Sequence, residues 1–576
     1  MRTLTVTLLS ILLIGSAAAQ SPGKQSVTLQ AALQTAAPGE RVRAWVYFAD
    51  KGQGRASTFN ERARARRDRN RVSTDSFDIP VRDAYRSAVA GTGAHVKHVS
   101  RWLNAVSVDA TAEEIAHIEA LPFVRGIDRV RSLHEPLPTV PDEVDRFETQ
   151  SAPTLPTFSL DYGPSITQNQ QIGVPALHDL GLSGAGVLIA MLDTGFNNLT
   201  HEALIDVDIL ATWDFVNNDE IVSNEPGEAG NGDHGTYTLS ALAGYEPGDL
   251  IGPAYGASFI LAKTENTDWE RHVEEDDWIA GAEWADAFGA DIISSSLGYS
   301  SGFTNGEPNY SWSDMDGNTT IVARGADIAA SRGILVVNSA GNGGFVSLPQ
   351  NTLGSPADGD SVLAIGAVDA SGTRASFSSV GPTADGQIKP DVMALGVSVV
   401  SASPFSPSGY LGIGGTSLAC PLVAGGAALL LQANPNATNL QIMNALRQTA
   451  SRAGAPDREY GYGIVNLVAA RNRILTGVGA PAASSVAELH LPHPNPFNPT
   501  TSIRYDVHQR VRVTLSIFDV RGELVTTLVD EEQAPGSKSI VWSARDRRGN
   551  ALASGVYLCR LHAGVVEQTR KLVLLK

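Results

Sequence analysis

The sequence predicts a parallel-sheet α/β body at residues 161–475, with a small α+β unit before it and a β-sandwich after it. Three observations lead there. Through the middle of the chain short apolar runs alternate with helical patterns, which is how buried parallel strands and their crossover helices read. The last ninety or so residues alternate apolar and polar positions between glycine-containing turns, as antiparallel strands of a sandwich do. At 576 residues the chain is also too long for one core, given roughly 100–200 residues per domain. Hydrophobic residues make up 43% and charged residues 18%, so a core can form without a metal or disulfide framework.

Arg2, the apolar run Leu4 to Ile14 and the small residues Ala17 and Ala19 read as a secretory signal peptide at 1–19. That run is too short for a transmembrane helix, and no later stretch reaches about 18 apolar residues. Between 20 and 135, Val42 to Phe48, Leu103 to Val108 and Val124 to Val130 are strand candidates. Thr111 with Glu114 three residues on forms a capping-box pattern opening a helix to Ala120. The run Arg62, Arg64, Arg66, Arg67, Arg69 and Arg71 reads as a solvated helix face or flexible loop rather than a nucleic-acid patch. The net charge of -18, concentrated after residue 155, argues the same way, because phosphate would be repelled.

Residues 136–160 hold Pro136, Pro138, Pro141, Pro153 and Pro156 and read as an exposed linker, where proteolytic nicking concentrates. In the body, Val187 to Leu192, Ile292 to Ser295, Ile334 to Asn338 and Val362 to Val368 are the buried-strand candidates. Leu418 to Leu431 has helical length, with Pro421 expected in its first turn, where proline is tolerated. The acidic run Glu274 to Asp277 reads as a solvated face; hard cations need oxygens that converge in space, so no metal ligands are assigned. A Gly/Ala/Ser linker at 476–486 precedes the sandwich at 487–576, with strands at Val513 to Phe518 and Gly555 to Leu561. Cys420 and Cys559 fall in different units, so no disulfide is expected, and Cys420 reads as a small packing thiol.

Three motifs carry chemistry. In IAMLDTG, Asp193 follows a predicted strand at the sheet edge where α/β active sites lie, although aspartic proteases share the tripeptide and many such residues only cap turns. In NGDHGTYTLSALAG, His234 stands near a helix start, with Gly235 and Thr236 allowing close approach of a neighbour. In GGTSLACPLVAGGAALLL, Ser417 opens a long apolar helix, its N–H at the positive end of the dipole, though an N-cap serine looks the same in isolation. A serine hydroxyl becomes nucleophilic only when an imidazole takes its proton, and the imidazole needs a carboxylate to fix its tautomer. Asn342, in VVNSAGNGG, offers an amide donor for the oxyanion beside the Ser417 N–H.

D-T-G, H-G-T and G-T-S-x-A-x-P in this order, with A-G-N between the last two, resemble the subtilase family over residues 161–475. The resemblance implies a three-layer subtilisin-like catalytic domain that hydrolyses peptide bonds in polypeptide substrates. It implies that Asp193 orients His234, that His234 is general base then acid, that Ser417 is the nucleophile and that Asn342 completes the oxyanion hole. It further implies that Ser296, Leu297 and Gly298 form an edge strand pairing with substrate backbone. Cys420 and Leu422 depart from the Ser and His that subtilases often carry there. No cofactor is required for such catalysis, and structural calcium, frequent in the family, is left unplaced. Residues 20–135 are similar to subtilase propeptides, implying an intramolecular inhibitor, with a processing site at 136–160. The segments PNPFNPTTSIRYDV, VTLSIFDVRGELV, GVYLCRL and RKLVLL resemble the Ig-like sorting domains of type IX secretion, implying that machinery as a partner and export through the periplasm to the cell surface or medium.

An α/β-hydrolase would need G-x-S-x-G and the order Ser, Asp, His, and neither is present. The rival from another class is an inactive subtilase-fold protein that binds surfaces. Retention of all four polar groups counts against it.

Overall fold

A computed structural model describes residues 24–52, 54–130, 158–226, 231–268, 272–300 and 309–476, and in the last segment 487–489, 492, 495, 497–507, 510–519, 521–534, 536–564 and 566–575. The predicted signal peptide at 1–19, the linker at 136–160 up to residue 157, and the linker at 476–486 beyond residue 476 lie outside the described residues. The chain divides into two compact units, Met1–Leu475 and Thr476–Lys576.

Seven parallel strands form the central sheet of the first unit, in the spatial order Val392–Leu395, Val362–Val368, Leu335–Ser339, Ile292–Ser295, Leu188–Asp193, Ser258–Lys263 and Asp208–Asp214. Alternate side chains serve two cores, as the period of two requires. Ile189, Met191, Ile292 and Val337 pack with the helices Asp233–Ala243 and Thr416–Ala433. Leu188, Ala190, Ile293 and Val336 pack with Val273–Phe288 and Ile321–Ser331. The result is helix, sheet, helix in three layers. After Leu188–Asp193 the chain builds one side of the sheet and then crosses to Ile292–Ser295 on the other, and such a reversal opens a crevice at the strands' carboxyl ends.

The helix Thr416–Ala433 is long and apolar enough to span a bilayer, and it lies buried through the core of this unit instead. It begins two residues before the predicted start, so Pro421 sits past the first turn rather than within it. That position lacks the N–H that would bond the carbonyl four residues back, at Ser417.

Ahead of this body stands a four-stranded antiparallel sheet in the order His95–Ser100, Ala105–Ala110, Val42–Phe48 and Val124–Arg129. The expected capping box is formed: the Thr111 hydroxyl accepts from the Glu114 N–H at 3.3 Å, and the Glu114 carboxylate accepts from the Thr111 N–H at 2.8 Å. Helices Val27–Thr35, Asp83–Ala90 and Ala112–Glu119 cover one face through Leu29, Val89, Ile115 and Ile118. The opposite face, with Trp45 and Trp102, packs on the helical layer of the body.

Both charged runs depart in part from the solvated faces that the sequence suggests, although Arg64 and Arg71 are exposed as expected. Arg66 and Arg67, on the helix Glu61–Arg69, are 1% and 4% exposed. Arg66 donates to the Ala290 carbonyl at 2.7 Å and pairs with Asp286, while Arg67 reaches Asp286 at 3.0 Å and Asp78 at 2.9 Å. Arg101 adds a third guanidinium on Asp286 at 2.5 Å, and Arg69 donates to Asp291 at 2.7 Å. Glu274, Glu275, Asp276 and Asp277 are all buried. Asp276 accepts from Trp45, Asp277 pairs with His98, and Glu275 pairs with His272 and accepts from the Tyr310 hydroxyl at 2.9 Å. Asp276 and Asp277 thus meet the leading domain, and Arg66, Arg67 and Arg69 meet the body, where burial is tolerable because partners are supplied. Among the described residues no group of three His, Cys, Asp or Glu side chains is placed to hold a metal ion.

The second unit has two antiparallel sheets, Ala487–Leu489 with Thr501–Val507 and Gly536–Trp542, and Leu524–Gln533 with Val511–Asp519, Gly555–Ala563 and Val566–Leu574. Leu489, Phe497, Ile503, Leu515, Trp542 and Leu561 fill the space between them. Cys559 is buried in that core and, like Cys420, forms no disulfide.

Candidate active site

Asp193 ends a strand in the interior of the sheet, so its carboxylate emerges at the crevice while the backbone stays fixed by ladders on both sides. One oxygen, Oδ1, accepts from the Thr194 N–H at 2.8 Å and pairs with His234 Nδ1 at 2.6 Å. The other, Oδ2, accepts from the Thr238 hydroxyl at 2.8 Å. Approach of the two motifs depends on Gly235: a Cβ there would lie 2.0 Å from the Gly195 carbonyl oxygen.

His234 is the second residue of the helix Asp233–Ala243. With Nδ1 donating to the carboxylate, Nε2 is left as the proton acceptor. The ring remains 33% exposed. Burial works against its charged form, but the charge and hydrogen bond of Asp193 outweigh that, holding its pKa above the ordinary 6.5.

Ser417 follows Gly415, whose φ of 149° suits glycine, and its N–H lies in the first turn of Thr416–Ala433, where backbone donors lack helical partners. The carbonyl left free by Pro421 is taken by Ser296, whose hydroxyl donates to Ser417 O at 2.7 Å. In return the Ser417 hydroxyl donates to the Ser296 carbonyl at 3.2 Å. Asn342 is turned by the same helix start. Its Oδ1 accepts from both the Thr416 N–H and the Thr416 hydroxyl at 3.0 Å, and since an amide N–H only donates, the Asn342 NH₂ faces the other way.

The structure therefore joins Asp193 directly to His234, and Ser417 to Asn342 and Ser296 through the helix start. The two helices that carry His234 and Ser417 pack side by side. Among the described residues Ser417 makes no hydrogen bond to His234, its hydroxyl being turned to Ser296. Ser296, Leu297 and Gly298 pair with no other strand among the described residues. They continue a central strand past its carboxyl end, with the Leu297 carbonyl held by Asn338 Nδ2 at 2.9 Å and Gly298 exposed. The cause is topology: Ile292–Ser295 has neighbours on both sides, and pairing is lost only where the sheet ends.

A family profile described as the Subtilase family matches residues 184–463. Subtilisin DY of Bacillus licheniformis is 36% identical over 291 residues, 50% of this chain and 92% of that relative. The chain belongs to the subtilase family. Subtilisin NAT of Bacillus subtilis subsp. natto is 30% identical to this subtilase over 387 residues, covering 67% of the chain and 85% of the relative. An alkaline protease of Alkalihalobacillus alcalophilus is 31% identical over 410 residues, 67% of the chain and 95% of the relative. Profiles described as the Peptidase S8 propeptide domain, Bacteroidota, and the FlgD Ig-like domain match residues 43–143 and 499–564. The leading sheet thus lies in a subtilase propeptide domain.

Two polar groups at this subtilase site escaped the sequence reading. Thr416 holds the Asn342 amide, and Thr238 holds the second oxygen of Asp193. Thr238 had a readable signal, since it lies four residues after His234 and helical neighbours at that spacing share a face.

Proposed function

We propose that this subtilase is a secreted serine endopeptidase made as a precursor. Substrate backbone runs along Ser296, Leu297 and Gly298. The Ser417 hydroxyl swings from the Ser296 carbonyl to His234 Nε2 by rotation about one side-chain bond. His234 takes its proton as Ser417 attacks the carbonyl carbon, and Asp193 stabilises the imidazolium that forms. The oxyanion is received by the Ser417 N–H and the Asn342 NH₂. His234 then protonates the leaving amine, and water repeats the sequence to release the acyl group from Ser417. Side chains and backbone donors carry every step, so no cofactor is required.

The observation that supports this reading best is the 2.6 Å contact between Asp193 and His234, beside the helix that opens at Ser417. A fluorophosphonate probe tests it: labelling at Ser417 is expected, and an unreactive protein would favour the inactive surface-binding reading. The pH profile gives a second check. Catalysis needs the neutral ring, so activity falls as pH drops through the His234 pKa, and the acid limb of kcat/KM should lie above 6.5.

Processing within 136–160 would release the propeptide, which until then acts as an inhibitor. The Ig-like unit is read as the sorting signal for type IX secretion. A chain lacking residues 487–576 should accumulate in the periplasm, and its normal export would refute that assignment.

A further inference from the structure

We infer that Thr238 is a positioning residue for the reaction, fixing the Asp193 carboxylate from the side opposite His234; this rests on the triad reading above. Thr238 is fully buried and lies one turn after His234 on the same helix. Its hydroxyl has a single proton and two acceptors in reach, Asp193 Oδ2 at 2.8 Å and the Gly235 carbonyl at 3.2 Å. A threonine in a helix commonly bonds back to the carbonyl three or four residues earlier, and that would be its purely structural role. Here the nearer acceptor is also the charged one, and charge-assisted hydrogen bonds are the stronger.

The consequence follows from which oxygen is held. Oδ1 faces the ring and the Thr194 N–H, while Oδ2 has the Thr238 hydroxyl. One helix therefore supplies both the imidazole and the group that stops the carboxylate turning away from it. Without the hydroxyl the carboxylate is free to turn on its side-chain bond, and its support of the charged His234 ring weakens.

Thr238→Val keeps the shape and removes the hydroxyl. We expect kcat to fall roughly tenfold, the scale of one hydrogen bond to a charged group, with KM unchanged. The acid limb of kcat/KM should move to lower pH, and Thr238→Ser should restore both values. Fluorophosphonate labelling at Ser417 counts competent sites, so a misfolded fraction is not mistaken for slow turnover. A profile superimposable on wild type overturns the inference and returns the hydroxyl to the Gly235 carbonyl. A limb displaced to higher pH overturns it too, because that marks a carboxylate still seated on the ring without the hydroxyl. If the wild type is unlabelled, or Ser417→Ala is as active as wild type, it is the triad reading that fails.

Discussion

Ser417→Ala is expected to lose fluorophosphonate labelling and to hydrolyse peptides on the order of a millionfold more slowly, the scale that removal of a triad member reaches in relatives of this family. His234→Ala should do nearly the same, and the double variant should be hardly worse. In the proposed mechanism the three groups act as one unit, since a hydroxyl without its base, or a base without its hydroxyl, leaves only binding and oxyanion donors to work with. Measuring kcat on a peptide substrate for the three variants checks this, and near-additive losses would sink the shared mechanism. Sequencing the amino terminus of the same proteins reads out processing. Wild type should start within or after 136–160, and the alanine variant should retain the propeptide. Identical termini would end the case for self-cleavage.

Asp286→Ala is the second substitution with a large expected effect, and it acts far from Ser417 in sequence. Asp286 is wholly buried and receives Arg66, Arg67 and Arg101 of the propeptide domain. Without it Arg66 keeps only carbonyl acceptors, whereas Arg67 keeps Asp78 and Arg101 keeps Glu283. Breaking a buried pair on one side costs about 3–5 kcal/mol, because the remaining charge stays desolvated. Local opening of the helix Glu61–Arg69 should therefore become more frequent by on the order of a hundredfold or more. Hydrogen exchange on the full chain in the Ser417→Ala background measures it. Unchanged protection of that helix would mean that the arginines are held by carbonyls alone.

The three motifs were legible because each is a short stretch whose glycines and polar residue answer one local demand. Asp193 needed a strand end, His234 a helix start with Gly235 beside it, and Ser417 a glycine before a helix. What was not legible depends on partners distant in sequence. The Ser296 hydroxyl meets the Ser417 carbonyl because Pro421 frees it, a link across 121 positions. Arg66, Asp276 and Asp277 read as solvated because charge rules weigh one segment at a time, while their partners stand 224, 231 and 179 positions away. The strand His95–Ser100 shows no alternation, since its polar side chains His98 and Ser100 face carboxylates at Asp277 and Glu283. Asp208–Asp214, an edge strand with largely half-exposed side chains, lacks the apolar run that reveals its neighbours; Ser258–Lys263 carries such a run and was there to be read.

The carbonyl end of the helix Val273–Phe288 is finished by residues more than two hundred positions earlier: Asn60 donates to the carbonyls of Ala287 and Phe288 at 2.9 Å, and Arg66 to that of Ala290. A ribosome delivers those donors first. The whole leading sheet is synthesised before the first strand of the body, and domains fold as units in the order they are made. A helix made later therefore meets a ready-made stop for its last carbonyls and a set of cations for Glu283 and Asp286.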